Sequence, residues 1–302
     1  MTTRRATHFA NRERTAGEGT PWFVAGDFRD AFARLGLTSL EAVFTFDVGR
    51  DLAKPNIGRF RRRVQFEATP AGSQQPVKLF LKCYDRPPLA RQIGNWLSQH
   101  GRRSFASAER EAIEQLAAAG VNTPRIVACG EQWGILFERR SFLITEEIRD
   151  SQSLEQRLPK CFDGVPNPAV LRERREFIRR LAEFIRRFHA TGRRHRDLYL
   201  AHLFCSEAGE FYLIDLARAS RPFLQRRFQI KDIAQLHYSS PAGSFSRTDR
   251  LRFYLTYAGR RRLLPQDKAF LRAVMKKTAR MVRHNVKHGA TPPFLRGVPD
   301  GR

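Results

Sequence analysis

Several features that define other protein classes are missing from this sequence. Its four cysteines lie far apart and form no C-x-x-C pair, which argues against a zinc ribbon or a disulfide scaffold. No apolar run approaches the roughly 18 residues of a membrane-spanning helix, and the N-terminal residues MTTRRATHFANRERT contain no apolar signal-peptide core. We therefore expect a cytoplasmic protein.

Acidic residues are scarce relative to basic ones. The 302 residues contain 55 Lys and Arg against 30 Asp and Glu, a formal net charge of +25. From Ser246 to Arg302, 15 Lys and Arg minus 3 Asp leave +12. Such an excess fits a polyanionic partner, which can be nucleic acid, anionic lipid headgroups, a phosphorylated glycolipid or an acidic protein. Charge alone does not choose among these partners.

The order of patterns along the chain predicts an α+β fold with two unequal lobes. We expect a polar N-terminal extension over 1–40, an N-lobe with an antiparallel sheet and one helix over 41–147, and a mainly helical C-lobe over 148–302. The strand candidates are residues 42–48, 64–68, 77–81 and the segment SFLITEEI. The helix candidates are residues 107–119, a helix after the Ser153-x-x-Gln156 capping box, and LRERREFIRRLAEFIRRFHATG.

The triplet His195-Arg196-Asp197 carries the strongest chemical signal. Asp215 follows it in the sequence, at the end of the next apolar strand, FYLI. Phosphoryl transfer needs one carboxylate to orient and deprotonate the attacking hydroxyl and another to hold Mg²⁺ on the ATP phosphates. A loop aspartate before one strand and a second aspartate after the next can supply both. The pair therefore predicts a kinase that uses ATP and Mg²⁺.

A strand lysine and a helix glutamate complete this pattern. Lys82 closes a strand in which Val77, Leu79 and Leu81 point to the opposite face, so Lys82 can face a cleft and bind phosphates. Lys78 shares the face of Lys82 and is the alternative lysine. Glu109, on the predicted helix, is the expected ion-pair partner. The competing glutamates on other faces of this helix are Glu111 and Glu114.

These residues together resemble a known family, the lipopolysaccharide core heptose kinases, which are relatives of the protein kinases. The resemblance covers roughly residues 42–259. It rests on SFLITEEI, on H-x-x-G-x-x-HRD-x-Y, on His202, on IDLARA, and on KDIAQLHYSS followed by DRLRFYLTYAG. It implies a two-lobed protein-kinase-like fold and an inner-core heptose of lipopolysaccharide as acceptor. It also implies a peripheral location at the inner face of the bacterial cytoplasmic membrane.

The same resemblance implies roles for individual residues. The implied catalytic residues are Asp197 as the base, with Arg196 and His202. The implied metal ligands are Asp215 and His202. The implied nucleotide-binding residues are Lys82, Glu109, the loose glycine loop of Gly49 and Gly58, and the strand end at Glu146, Glu147 and Ile148.

Two departures from the wider kinase pattern affect these expectations. His202 stands where protein kinases have, after the catalytic aspartate, an asparagine that binds a second Mg²⁺. Imidazole suits Mg²⁺ poorly, so hydrogen bonding to a phosphate or orienting Asp215 is an alternative role for His202. Leu216 and Ala217 follow Asp215 in place of the Phe-Gly of D-F-G, so no aromatic activation switch is expected.

Other function classes stay open. A protein kinase would carry a peptide-docking segment, but no A-P-E triplet follows Asp215, and little chain separates Asp215 from Asp232. Asp232 is interpreted as the buried aspartate that braces the catalytic loop. A basic adaptor or nucleic-acid binder on an inactive kinase scaffold is the non-enzymatic alternative. Base-stacking proteins expose aromatic residues, whereas most Phe here recur at core-like spacing, so we expect no nucleic acid partner. The expected partners are the lipopolysaccharide core glycolipid, an anionic membrane surface and an acidic protein.

Overall fold

The computed structural model describes residues 22–52, 60–162, 167–241 and 243–289. In this part of the chain the residues form two compact units. The first unit consists of the described residues up to Asn95, together with Arg103–Arg110 and Arg125–Glu147. The second takes Trp96–Arg102, Glu111–Pro124 and the described residues from Ile148 onward.

A six-stranded antiparallel sheet frames the first unit. Its strands are β1 (Trp22–Val24), β2 (Arg50–Asp51), β3 (Arg61–Ala68), β4 (Val77–Asp85), β5 (Ile126–Trp133) and β6 (Glu138–Glu146). Their order across the sheet is β1-β5-β6-β4-β3-β2, and each neighbouring pair is antiparallel. The predicted strands at 64–68, 77–81 and SFLITEEI are confirmed as β3, β4 and β6.

Four helices in the described chain begin in this first unit, where the sequence predicted one. They are α1 (Arg29–Arg34), α2 (Leu40–Thr45), α3 (Leu89–Gln99) and α4 (Phe105–Ala118). The helix predicted at 107–119 is confirmed as α4, and α1, α2 and α3 are additional. Of these, α2 replaces the strand predicted at 42–48, so that prediction was wrong. Its start is fixed by Ser39, whose Oγ accepts a hydrogen bond from the Ala42 amide at 3.1 Å.

Residues 22–40 belong to the core of this unit and do not continue a polar extension. Strand β1 pairs with β5 from Trp22↔Gly130 to Val24↔Ala128. Three apolar side chains of this segment are almost completely buried, namely Phe28, Phe32 and Leu37. Glycine and proline near the N-terminus favoured an extension, but the burial of these aromatic and aliphatic groups stabilises an ordered segment instead. Residues 1–21 lie outside the described chain.

The second unit is mainly helical. A small antiparallel sheet joins β7 (Ser151–Ser153), β8 (Leu203–Ser206) and β9 (Phe211–Leu213). The helices are α5 (Leu154–Phe162), α6 (Pro168–Ala190), α7 (Gln225–Ser239), α8 (Arg247–Ala258) and α9 (Pro265–Lys287). The capping residue predicted before α5 is confirmed, since the Ser153 Oγ accepts from the Gln156 amide at 3.4 Å. The predicted helix of LRERREFIRRLAEFIRRFHATG is confirmed as α6.

Helix α6 shows why the arginine-rich sequence is helical. Its buried positions recur at helical spacing and are mostly apolar, from Ile178 to Phe188, while arginines occupy the remaining faces.

The two units together confirm the predicted α+β class with an antiparallel sheet. None of the helices in the described ranges is long and apolar enough to cross a bilayer.

Candidate active site

Lys82 and Glu109 form a short ion pair inside the first unit. The Lys82 Nζ lies 2.6 Å from the Glu109 Oε1, and the two side chains are 15% and 2% exposed. Burial in β4 alternates so that Leu81 and Cys83 are buried while Lys82 is partly accessible, as the strand pattern predicted. Lys78, the alternative lysine, instead lies 3.5 Å from Glu147 at the surface. The predicted ion pair is present, and its role in nucleotide binding stays a prediction.

The start of α4 fixes the position of Glu109. The Phe105 amide donates to the Glu138 Oε2 at 3.0 Å, which satisfies a free amide at the helix N-terminus. Glu109 follows one turn later and points its carboxylate at Lys82. Its second oxygen, Oε2, is buried without a hydrogen-bond partner among the described residues. Lys82 therefore has little freedom to leave its place, because its partner Glu109 is buried.

At one of the two positions of the predicted glycine loop, steric contact explains why the residue is glycine. Gly49 has φ +116°, and a Cβ on it would lie 2.5 Å from the Gln65 carbonyl oxygen of β3. Only glycine fits such a close approach. Gly58, the other predicted loop glycine, lies outside the described residues. Gly49 therefore packs against β3, and its contact with a nucleotide stays a prediction.

The strand end predicted to bind adenine is held by main-chain and ionic contacts. The Glu146 amide donates to the Arg125 carbonyl at 2.9 Å, and the Glu147 amide donates to the Lys78 carbonyl at 2.8 Å. The Ile148 carbonyl accepts from the Ser151 Oγ at 2.6 Å. These contacts fix the chain as it leaves β6, and a role in adenine binding stays a prediction.

In the second unit, Asp232 of α7 braces the loop that carries the HRD triplet. Its carboxylate accepts hydrogen bonds from the amides of His195 and Arg196, each at 2.8 Å. The Asp232 side chain is 0% exposed, and its Oδ2 also lies 3.2 Å from the His189 Nε2. Burial lowers the pKa of His189, so this ring is neutral at physiological pH. These contacts agree with the interpretation of Asp232 as the bracing aspartate.

Two further residues on the same face of α7 continue this brace. The Leu198 amide donates to the Gln235 Oε1 at 3.1 Å, and the Leu200 amide donates to the Ser239 Oγ at 3.0 Å. Gln235 and Ser239 follow Asp232 at helical spacing and therefore lie on one helical face. Three side chains of α7 thus bind the loop through its backbone amides, and Asp197 lies between the anchored positions.

Asp197 is surrounded by cations. The Arg218 Nη1 lies 2.7 Å and 3.0 Å from its two carboxylate oxygens, and the Lys231 Nζ lies 3.8 Å from its Oδ1. Lys231 also donates to the Arg196 carbonyl. Arg218 is 53% exposed, whereas Asp197 and Lys231 are both 26% exposed. The carboxylate is therefore accessible at the surface of this unit, where it is paired with a long and exposed arginine side chain.

Arg196 packs its side chain against an aromatic ring. Its guanidinium lies 5.3 Å from the centre of the Phe228 ring, a cation–π contact. Its backbone has φ +71°, which is costly for a non-glycine residue and persists because the amide is held by Asp232. Burial, followed by repulsion from Arg218, lowers the pKa of Arg196. Arg196 therefore shapes the loop and adds positive charge to it.

The His202 ring lies between the backbone of Asp197 and the carboxylate of Asp215. Its Nδ1 lies 2.8 Å from the Asp197 carbonyl oxygen, which can only accept, so the Nδ1 carries the hydrogen. Its Nε2 lies 3.9 Å from the Asp215 Oδ2. The His202 ring also stacks on the buried His195 ring, with centroids 5.6 Å apart and planes 13° apart. These contacts fix the orientation of the His202 ring.

The donor set fits a magnesium ion held jointly with phosphates. Asp215 sits at φ +57°, a strained conformation that presents its carboxylate beside His202. Mg²⁺ is usually bound by one or two carboxylates, with the remaining ligands from phosphates and water. In the part of the chain that the structure describes, no group of three His, Cys, Asp or Glu side chains converges as a metal cluster. Asp215 fits this pattern better than the imidazole of His202.

Sequence reasoning missed Arg218 and Lys231. Both lie far from Asp197 along the chain, and although they fall within IDLARA and KDIAQLHYSS, only the aspartates of these motifs were given a chemical role. Gln235 and Ser239 left a readable signal, because both are polar yet buried on the face of α7 that carries Asp232. Buried polar groups require partners, so their spacing could have predicted a bound loop.

Comparisons with known proteins identify the family of this chain. The model of the lipopolysaccharide kinase (Kdo/WaaP) family matches residues 61–257. The lipopolysaccharide core heptose(I) kinase WaaP of Escherichia coli K12 is 31% identical over 239 residues, which cover 76% of this chain and 87% of the relative. The same-named protein of Pseudomonas aeruginosa PAO1 is 31% identical over 194 residues, covering 61% and 71%.

A solved structure, described as WaaP in complex with acyl carrier protein, has the same fold. It aligns with a TM-score of 0.65 and 24% sequence identity, and the alignment covers 86% of this chain and 98% of that chain. The predicted kinase-like fold is thereby confirmed.

Proposed function

Because the chain belongs to the lipopolysaccharide kinase (Kdo/WaaP) family, we propose that it transfers the γ-phosphoryl group of ATP to a hydroxyl of an inner-core heptose of lipopolysaccharide. The family resemblance read from the sequence motifs is confirmed by this match and by the named relatives. The observation that carries the proposal is the braced loop, in which the His202 ring hydrogen-bonds the Asp197 carbonyl and lies 3.9 Å from the Asp215 carboxylate.

In the proposed reaction Asp197 acts as the general base. It accepts the proton of the sugar hydroxyl while the hydroxyl oxygen bonds to the γ-phosphorus and the bond to the leaving ADP oxygen breaks. His202 positions Asp197 through the Asp197 carbonyl. Asp215 would hold Mg²⁺, which when bound neutralises charge on the transferred phosphoryl group.

The nucleotide contacts come from the first unit. Lys82, held by Glu109 at 2.6 Å, is proposed to bind the α- and β-phosphates as a compact charge. The strand end at Glu146–Ile148 is the proposed adenine contact, and Gly49 with Gly58 the proposed phosphate loop. In each case the proposal rests on the family resemblance and on the positions described above.

The cations around Asp197 support a negatively charged acceptor. The Arg218 Nη1 and the Lys231 Nζ lie 2.7 Å and 3.8 Å from carboxylate oxygens of Asp197, while Asp232 is committed to backbone amides. Burial lowers the pKa of Lys231; Asp197 opposes this shift, and Arg218 and Arg196 add to it. A carboxylate or phosphate beside the reactive hydroxyl would neutralise this excess charge. An acidic sugar or a sugar phosphate next to the accepting heptose fits that chemistry.

A membrane-embedded acceptor also fits the distribution of charge. On α9 the basic residues recur at three- or four-residue spacing, at Lys268, Arg272, Lys276, Arg280, Arg283 and Lys287. Arg260, by contrast, lies 3.0 Å from Asp267 and is partly neutralised. We propose that the basic C-terminal region favours the anionic inner face of the cytoplasmic membrane, where each exposed cation contributes about 1 kcal/mol.

A protein partner is proposed as well. The net charge of +25 favours an acidic protein, and the solved relative was described in complex with acyl carrier protein. Protein phosphorylation fits less well, because α7 begins at Gln225, soon after Asp215. That span leaves little chain for docking a peptide.

Substitution of the base tests the proposal. We expect Asp197→Ala to lower the rate of phosphoryl transfer to purified lipopolysaccharide core by about 10²- to 10⁴-fold, while a titration shows nucleotide affinity within about threefold of wild type, because the base acts on the hydroxyl. Glu207→Ala, at an exposed turn, is the matched control and should keep activity. A loss of only a few-fold would remove Asp197 from the base role, and mass spectrometry of the product identifies the sugar.

A further inference from the structure

Helix α3 turns an apolar face outward. Leu89, Ile93 and Leu97 recur every four residues and are 54%, 45% and 72% exposed. Ala90 and Gly94 complete the same face and are exposed too. Isolated surface leucines are common, but a row of large apolar side chains along one helix is not, and such a patch usually marks an interaction site.

The polar face of α3 is turned inward. Gln92 is 2% exposed and Asn95 is 8% exposed. The Gln92 side chain donates to the Glu138 carbonyl at 3.1 Å and accepts from the Glu138 amide at 2.8 Å, and it also donates to the Pro87 carbonyl at 2.8 Å. The Asn95 Nδ2 donates to the Arg103 carbonyl at 3.0 Å.

These bonds fix the rotation of the helix about its axis. Turning Leu89, Ile93 and Leu97 inward would break these four hydrogen bonds and leave the buried amide groups of Gln92 and Asn95 without partners, which is costly in free energy. The hydrogen bonds on the inward face of α3 therefore keep Leu89, Ile93 and Leu97 turned outward.

The charge next to this row has a single sign. Residues 86–103 contain four arginines and no aspartate or glutamate. Arg86, Arg91 and Arg102 are exposed, and Trp96 on α3 is partly exposed. Leucine and tryptophan beside arginine are typical of helices that lie in the plane of a membrane interface. Helix α3 is about 16 Å long, which suits a surface position.

We propose that α3 is an interfacial helix that inserts Leu89, Ile93 and Leu97 into the headgroup region of an anionic bilayer, while the flanking arginines bind lipid phosphates. This inference rests on the proposed function, whose acceptor is lipid-linked. A second copy of the chain is a poorer occupant, because two such faces would bring their arginines together.

Vesicle binding by the full chain tests this docking surface. Co-sedimentation compares wild type, Ile93→Gln/Leu97→Gln and a control pair, Ile135→Gln/Leu136→Gln, on vesicles of phosphatidylglycerol mixed with phosphatidylcholine and on pure phosphatidylcholine. Ile135 and Leu136 are 105% and 52% exposed in the turn between β5 and β6, so the control removes exposed apolar area outside both α3 and the basic C-terminal region. We expect the α3 pair to lower the partition coefficient at least tenfold on anionic vesicles and the control pair to change it less than twofold.

Insertion depth gives a second measurement. In a Cys161→Ser background, Leu97→Cys labelled with bimane should show a blue-shifted emission on anionic vesicles, because the label enters a less polar layer. No shift, or equal binding by the α3 pair and wild type, would overturn the inference. It would also fall if the α3 pair bound vesicles normally but lost self-association, or lost binding to an acidic protein.

The proposed function is judged separately by transfer to a soluble, delipidated core oligosaccharide. Activity of the α3 pair on that acceptor should match wild type. Absence of transfer by wild type would overturn the proposed function, and the vesicle measurements would still decide the role of α3.

Discussion

Arg218 and Asp197 form an ion pair in which one guanidinium nitrogen lies within 3.0 Å of both carboxylate oxygens. A base that is to accept a proton needs a free lone pair directed at the hydroxyl. Arg218 is 53% exposed and can turn toward another anion at little cost. The pair therefore suggests an exchange in which an acidic group of the acceptor takes Arg218 from Asp197.

This exchange predicts that Arg218 matters according to the charge of the acceptor. Arg218→Gln should lower kcat/KM about 10- to 100-fold for an acceptor carrying a carboxylate or phosphate. For the carboxyl-reduced, dephosphorylated acceptor the fall should be within about threefold. Arg226→Gln, an exposed arginine on α7, controls for loss of one positive charge. Equal losses on both acceptors would show that Arg218 does not bind the acidic group.

Lys82 and Lys78 provide a matched comparison on one strand. Lys82→Met should weaken ATP binding and lower kcat/KM about 10²-fold or more, because it removes the proposed phosphate contact and leaves the buried Glu109 without its partner. Lys78→Met removes only a surface contact with Glu147 and should change kcat/KM less than about threefold. Steady-state kinetics with calorimetric nucleotide titration checks both. The reverse ranking would transfer the phosphate role to Lys78.

Alanine substitutions at Gly49 and Gly72 distinguish the cost of a steric clash from the cost of backbone strain. Both have positive φ, but a Cβ at Gly49 would lie 2.5 Å from the Gln65 oxygen, whereas at Gly72 nothing lies within 4 Å. We expect Gly72→Ala to lower the free energy of unfolding by about 1 kcal/mol and Gly49→Ala by about 2 to 4 kcal/mol. Urea denaturation measures the difference. Equal effects would mean that β3 moves aside without cost.

The raised pKa of Glu138 predicts that the stability of the fold depends on pH. Burial raises its pKa from an ordinary value of 4.5 to about 7 in the folded protein. Both states hold the proton below pH 4.5. Between pH 4.5 and 7 the unfolded state ionises first, so the folded state loses up to about 3 kcal/mol relative to it, and the loss is constant at higher pH.

Replacing this carboxyl isolates its contribution. The stability of wild type relative to Glu138→Gln should fall by about 2 to 3 kcal/mol from pH 5 to pH 8, measured by urea denaturation at both values. Glu67→Gln, at an exposed position of β3, should show no such trend. A difference that is flat with pH would place the pKa of Glu138 near its ordinary value.

The sequence allowed the ionic partners on regular elements to be predicted. Strand parity placed Lys82 opposite the buried Leu81, and a helical glutamate, Glu109, was then the nearest partner of suitable charge. Asp232 was also predicted, because the short stretch of chain between Asp215 and Asp232 is typical of a bracing aspartate. These predictions depended on periodicity, which strands and helices preserve.

Other features depended on contacts that periodicity does not encode. Val43, Phe44 and Phe46 favoured a strand at 42–48, but the Ser39 cap and burial of Val43 in the core favoured helix α2. Helix α3 was missed because its polar residues face inward, which inverts the pattern used to recognise amphipathic helices. Arg218 reaches Asp197 only through the folded turn after Asp215, a contact that sequence spacing does not predict.

The binding of the HRD loop by α7 has a consequence for amide hydrogen exchange. The amides of His195, Arg196, Leu198 and Leu200 donate to Asp232, Gln235 and Ser239, so they cannot open to solvent while that helix stays in place. These four amides should exchange at the slow rate of α7 itself, as one cooperative unit. A surface loop would normally exchange fast; here the loop that carries Asp197 inherits the protection of a buried helix.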